Sequence, residues 1–162
     1  MKITTIICLL GITMAPAAAV AQTPAPLPAP NPPSAQTPLP SNAPFATQKL
    51  LLQLSDADMA KQKLVISVAN SILKDFGPDN VSIVVVAYGP GVQILFANSP
   101  ERIAVDSLIA QGVEFDVCMN TINTITRDTG HTPELNPKAI KVPYGVGRIM
   151  QLVEKAYILD RP

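Results

Sequence analysis

The chain has 162 residues, with 12 Lys and Arg balanced by 12 Asp and Glu, no Trp and 17 Pro. Zero net charge and the lack of any Lys/Arg run exclude a protein that binds nucleic acid or an anionic membrane by displacing counterions. The 48% hydrophobic content is enough for a packed core, but every charged residue except Lys2 lies at or after Lys49. Residues 1–47 and 48–162 are therefore chemically different segments.

Lys2 forms a positive n-region, Ile3 to Ala15 are almost wholly apolar, and Ala19-Val20-Ala21 is a small-x-small pattern before Gln22. This pattern predicts a signal peptide over 1–21, cleaved after Ala21, and hence a periplasmic or secreted protein. Ile3 to Met14 is too short to span about 30 Å of hydrocarbon, and Pro16 ends the run, so no membrane span is expected after cleavage. Cys8 lies early in the apolar stretch, away from the small residues where a lipid-acceptor cysteine would sit. Residues 22–47 alternate Pro with Ala, Ser, Thr and Asn and carry no charge, which predicts a disordered, semi-extended linker held near polyproline II. No charged residue flanks a Pro-x-x-Pro to orient it on a recognition domain, so a spacer is the expected role.

From Lys49 the pattern alternates strand and helix. Lys49 to Leu54 is an apolar run, followed by Ser55-Asp56-Ala57-Asp58 with side chains that cap a helix. Met59 to Phe76 carries Leu64, Val65, Val68, Ile72 and Leu73 at helical spacing and stops at Gly77-Pro78. Val81 to Ala87 (VSIVVVA) is apolar on both faces, as in the middle of a parallel sheet covered by helices. Tyr88-Gly89-Pro90-Gly91 punctuates its end, and Val92 to Ala97 is a further apolar run. Ser99-Pro100-Glu101 reads as the start of a helix that ends near Ala110 before Gln111-Gly112. Strands are then predicted at Val113 to Cys118, Ala139 to Val142 and Tyr157 to Leu159, with helices at Asn120 to about Arg127 and Val146 to Lys155. Repeated strand–helix units of this length predict an α/β fold with a mostly parallel open sheet.

After signal cleavage Cys118 is the single cysteine, so no intramolecular disulfide forms. It stands at the carboxyl end of a predicted strand, with Asn120 and Thr121 opening the next helix. Ligands of open α/β sheets bind at that edge, and helix N-termini favour a thiolate. Two readings stay open: a reactive thiol, or a small hydrophobe filling a strand end. His131, the one histidine, falls in a predicted loop; a Cys/His pair, or a metal site with Asp56, Asp58 or Asp116, lacks the short ligand spacing such sites need. No metal and no cofactor are expected. Gly89-Pro90-Gly91 resembles a phosphate-cradling turn, but Pro90 lacks the N–H such a turn uses, and GxGxxG, GxxxxGK[ST], GxSxG and HExxH are all missing.

Taken in order, these residues resemble the DsrE/DsrF-like family over 48–162. The resemblance rests on the strand closed by Ser55-Asp56, on Asn70, VSIVVVAYGPGVQIL and Gln111-Gly112-Val113-Glu114-Phe115. It continues through Cys118-Met119-Asn120-Thr121, Val142-Pro143-x-Gly145 with Arg148-Ile149, and the Tyr157 to Pro162 ending. It implies a three-layer α/β/α sandwich, a trimeric or hexameric assembly and, as in sulfur-metabolising relatives, a cysteine that carries sulfur as a persulfide. Cys118 falls on the family's Cys-x-Asn-Thr motif, with Asn120, Thr121 and local amides expected to stabilise the anion. A ligand crevice is expected from Asp56, Asn70, Gly89, Pro90, Gly91, Tyr144 and Gly145. Ala156 stands where the pattern has Gly.

The leading expectation is thus an exported sulfur carrier or sulfurtransferase-like protein that exchanges sulfur with a donor and an acceptor protein. The alternatives are a non-catalytic homo-oligomeric module that binds a small ligand, and a thiol redox sensor.

Overall fold

The computed structural model describes residues 38, 40 and 45–162. The expected signal peptide, its cleavage site and most of the linker lie outside the described residues.

Five strands form one wholly parallel sheet: β1 (Gln48–Leu54), β2 (Val81–Ala87), β3 (Glu114–Cys118), β4 (Ile140–Val142) and β5 (Ile158–Asp160), in the order β4-β3-β2-β1-β5. Every residue of β2 is buried, as a central strand covered on both faces must be. Four helices cover the sheet: α1 (Met59–Phe76), α2 (Arg102–Ala110), α3 (Met119–Thr129) and α4 (Gly145–Glu154).

Strand side chains alternate between faces, and the core divides accordingly. On one face Leu52, Leu54, Ile83, Val85, Phe115 and Val117 pack against Val65, Ala69 and Leu73 of α1, Val105 and Leu108 of α2 and Ile122 of α3. On the other, Leu51, Val84 and Val86 meet Ile149 and Leu152 of α4 and the following Tyr157. The fold is the expected three-layer α/β/α sandwich, with three helices on one side and α4 alone on the other. Burying each large apolar side chain contributes about 1.5–3 kcal/mol.

Asp58 caps α1: its Oδ1 accepts from the N–H groups of Ala60 (2.8 Å) and Lys61 (3.0 Å), a contact worth about 1 kcal/mol. One apolar run takes its local form here, and one local expectation is corrected. The apolar run from Val92 lies mostly within a 3-10 turn, Gly89–Leu95, with Phe96 in a lone antiparallel bridge to Leu135. The chain doubles back so tightly that a Cβ on Gly91 would lie 2.4 Å from the Leu54 carbonyl oxygen. Likewise α2 starts at Arg102, because Ser99 to Arg102 form a turn in which Arg102 N–H donates to the Ser99 carbonyl (3.1 Å).

Candidate functional site

β3 and β4 are neighbours in the sheet, yet α3, which follows β3, lies on one face and α4, which follows β4, on the other. The carboxyl ends of two such strands form the crevice where open α/β sheets place their ligands. Cys118 is the last residue of β3 and is paired in register with Val142, the last of β4.

A short chain of backbone contacts then brings α4 onto the sulfur. Asn120 N–H donates to the Pro143 carbonyl (3.1 Å), which holds the loop after β4 against the first turn of α3. Two residues on, Gly145 N–H donates to Cys118 Sγ (3.2 Å). No side chain caps α3 or α4 at its N-terminus, so the sulfur takes the place of a cap on α4. An N–H donor at a helix N-terminus favours negative charge on the atom it meets. Cys118 is buried, 5% exposed, and free. Gly145 makes the approach possible: a Cβ there would sit 2.8 Å from Tyr88 Cβ and 3.3 Å from Cys118 Cβ.

An open groove of about 350 Å³, whose lining does not include Cys118, is formed by Met119, Asn120 and Asn123 of α3 with Lys141, Pro143 and Tyr144. It offers one cation, two amides and an aromatic ring.

The other expected residues divide by position. Thr121 is at the α3 N-terminus, but its Oγ1 accepts from Gly89 N–H (3.0 Å) and so pins the Gly89-Pro90-Gly91 turn to α3. Gly89 has a φ of 52°, which glycine adopts readily. Tyr88 packs against the α4-side core and its hydroxyl accepts from Gln53 Nε2. Asp56 lies just past β1 and pairs with Lys61 (2.9 Å), whose hydrogen bond holds its carboxyl below the usual range. Asn70 is elsewhere: it is exposed on α1, bonded to the Ile66 carbonyl, in a groove with Leu73, Lys74, Pro78 and Gln111. His131 is exposed and lines a different groove with Phe96, Asn98 and Thr132. Among the described residues no group of three or more His, Cys, Asp or Glu side chains is placed to hold a metal ion, and no helix is long and apolar enough to cross a membrane.

Sequence reasoning missed a buried ionic cluster beneath α4. Arg148 Nε donates to Asp116 Oδ2 (2.8 Å) and Nη2 to Glu114 Oε1 (2.8 Å), with side chains 1%, 0% and 5% exposed. Nη2 also donates to the Pro38 carbonyl (3.0 Å). Burial first, then the Glu114 charge, push Asp116 up to about 7 against the lowering pull of Arg148. Burial alone would lower Arg148; its bonds to Asp116 and Glu114 outweigh that and hold it above its ordinary value.

No family model matches the chain, and no curated protein matches it. Among solved structures it is similar to MTH1491, a protein of unknown function from Methanobacterium thermoautotrophicum. The two share 29% identity with a TM-score of 0.64, over 71% of this chain and 99% of that one. The likeness agrees with the α/β fold.

Proposed function

We propose that the protein is an exported DsrE-like sulfur carrier whose working group is the Cys118 thiol. The observation that carries this reading is the Gly145 N–H on Cys118 Sγ, at the crevice between the carboxyl ends of β3 and β4. The thiolate attacks the outer sulfur of a polysulfide; a new S–S bond forms on Sγ, the donor's S–S bond breaks, and the electron pair leaves with the shortened donor as a thiolate. No net oxidation occurs and no cofactor is needed. The Gly145 N–H serves the anion before attack and the persulfide afterwards. Export rests on the composition of residues 1–21, and the proline-rich segment acts as a spacer. Loading of one sulfur on the wild type but not on Cys118→Ser, read by intact mass, tests the proposal.

The protein works as a homo-oligomer in this reading. Along the outer side of α4, Val146, Met150 and Val153 are 55%, 61% and 47% exposed, and Ile158 and Leu159 are exposed on the edge strand β5. Apolar patches of this kind favour a partner surface.

A second reading, a module that binds a small polar ligand without covalent chemistry, is favoured by the groove at Lys141, Asn120 and Asn123. It predicts a ligand that survives native purification and whose binding is unaffected by Cys118→Ser.

A further inference from the structure

Along β3, Glu114, Asp116 and Cys118 alternate with Phe115 and Val117, which face the α1 side of the core, so all three project from the face that α4 covers. One turn of α4 serves both ends of that row. Gly145 donates to the sulfur, and Arg148, three residues on, holds the two carboxylates. The cluster is unbalanced: two buried carboxylates share one guanidinium, and among the described residues Asp116 Oδ1 is buried with no hydrogen-bond partner. A buried polar oxygen left in that state calls for an explanation, and a bound proton supplies one.

Resting on the reading of Cys118 as a reactive thiol, we propose that Asp116 is a positioning residue for its charge: the two side chains share one negative charge under the first turn of α4. When the thiolate forms, the S–H bond breaks; through exchange with solvent one proton is taken up on Asp116 Oδ1, and no electrons are gained or lost. With Asp116 ionised the cluster is already one charge negative, and a thiolate two residues away on the same face is opposed. Like charges in a shared buried site titrate as a coupled pair. The other groups facing the pair are Glu114 on β3, Arg148 on α4 and the Tyr157 hydroxyl, which is bonded to Ser82 of β2 (2.7 Å). From β1 comes the uncharged Gln53, which donates to the hydroxyl of Tyr88, the residue that meets Gly145 beside Cys118. On β4, Lys141 pairs with Val117 and so projects from the opposite face.

The test is the pH profile of Cys118 alkylation by iodoacetamide in wild type, Asp116→Asn and Glu114→Gln, with folding checked by circular dichroism. The wild type should show a two-step profile. Asp116→Asn should give one step displaced about one unit towards acid, with alkylation near pH 8 roughly tenfold faster, and Glu114→Gln should shift in the same direction. Unchanged profiles in folded variants overturn the proposal. If the variants fail to fold, the Asp116 carboxyl is followed by 13C NMR in wild-type protein capped at Cys118 with iodoacetate or with iodoacetamide. The charged cap should raise the Asp116 midpoint by about one unit over the neutral cap; equal midpoints overturn the proposal. Neither readout requires sulfur loading. Shifted profiles without loading therefore remove the carrier reading alone, and loading with unshifted profiles removes the shared charge alone.

Discussion

The Gly145 N–H meets the Cys118 sulfur at 3.2 Å, and it does so because residue 145 has no Cβ to hold α4 away from Tyr88 and Cys118. Gly145→Ala forces a methyl group to within 2.8 Å of Tyr88 Cβ, so α4 must shift. We expect a loss of about 1–3 kcal/mol in urea unfolding and, in the folded variant, slower alkylation of Cys118 at neutral pH. Unchanged alkylation would separate the glycine from the thiol's reactivity.

The buried cluster imposes a pH dependence of a specific sign. Burial and the Glu114 charge push Asp116 up to about 7 in the folded state, above the ordinary carboxylate range of about 4, so the folded state binds its proton more tightly than the unfolded state. The stability this contributes is complete below about pH 4 and is lost as the pH rises towards 7. Asp56 and Asp106, whose carboxyls are lowered by hydrogen bonds to Lys61 and Asn136, act only below that window. Thermal melts of wild type and Asp116→Asn from pH 4 to 8 should therefore diverge, the wild type losing relative stability as the pH rises. A constant difference between the two would contradict this account.

Removing the cation should be worse than removing a carboxylate. Arg148→Met leaves two buried carboxylates without their donor and should cost about 3–5 kcal/mol at pH 8, with part of the loss recovered near pH 5, where the cluster can take up protons. Equal losses at the two pH values would count against a buried charge as the cause.

Much of this fold was legible in the sequence. The β-rich VSIVVVA, apolar but for Ser82, placed β2 at the sheet centre, and the helical spacing from Met59 gave α1 to the residue. Strand order was not legible, since periodicity says which face a residue takes but not which strand lies beside it. For the site, the Cys118 end of β3 and the Gly145 region were both singled out, whereas Asn70 was carried by resemblance and lies in another groove. The buried cluster had a signal that went unread. Arg148 sits at helical spacing with Gly145, Ile149 and Leu152, a position that faces the core, and Glu114, Asp116 and Cys118 alternate with apolar residues on a strand buried throughout. A charged residue on the inward stripe of one element and acids on the inward stripe of another point to each other.

Ala156 has a φ of 65°, the one non-glycine residue with positive φ among the described residues, at the position where the DsrE/DsrF-like pattern that the sequence resembles has Gly. An L side chain in that conformation costs about 1–2 kcal/mol, offset in part by the greater unfolded-state freedom of glycine. Ala156→Gly should thus raise stability by about 0.5–1 kcal/mol, read as a higher urea midpoint with an unchanged slope. A lower midpoint would show that no strain is relieved there.

The outer face of α4 gives a further test. Met150→Glu places a charge in the centre of the Val146, Met150 and Val153 stripe and, since Met150 is exposed, should leave the fold intact. Light scattering should report an oligomer for the wild type and a smaller species for the variant; a monomeric wild type would remove this surface as an interface.

The most direct test of the carrier reading is the intact mass of the protein, purified without reductant, before and after incubation with polysulfide, with Cys118→Ser as control. The account predicts a gain of one sulfur atom that reductant removes and the variant does not show. An unchanged wild-type mass, with Cys118 resistant to alkylation until the chain is unfolded, would contradict it and leave the cysteine as core filling.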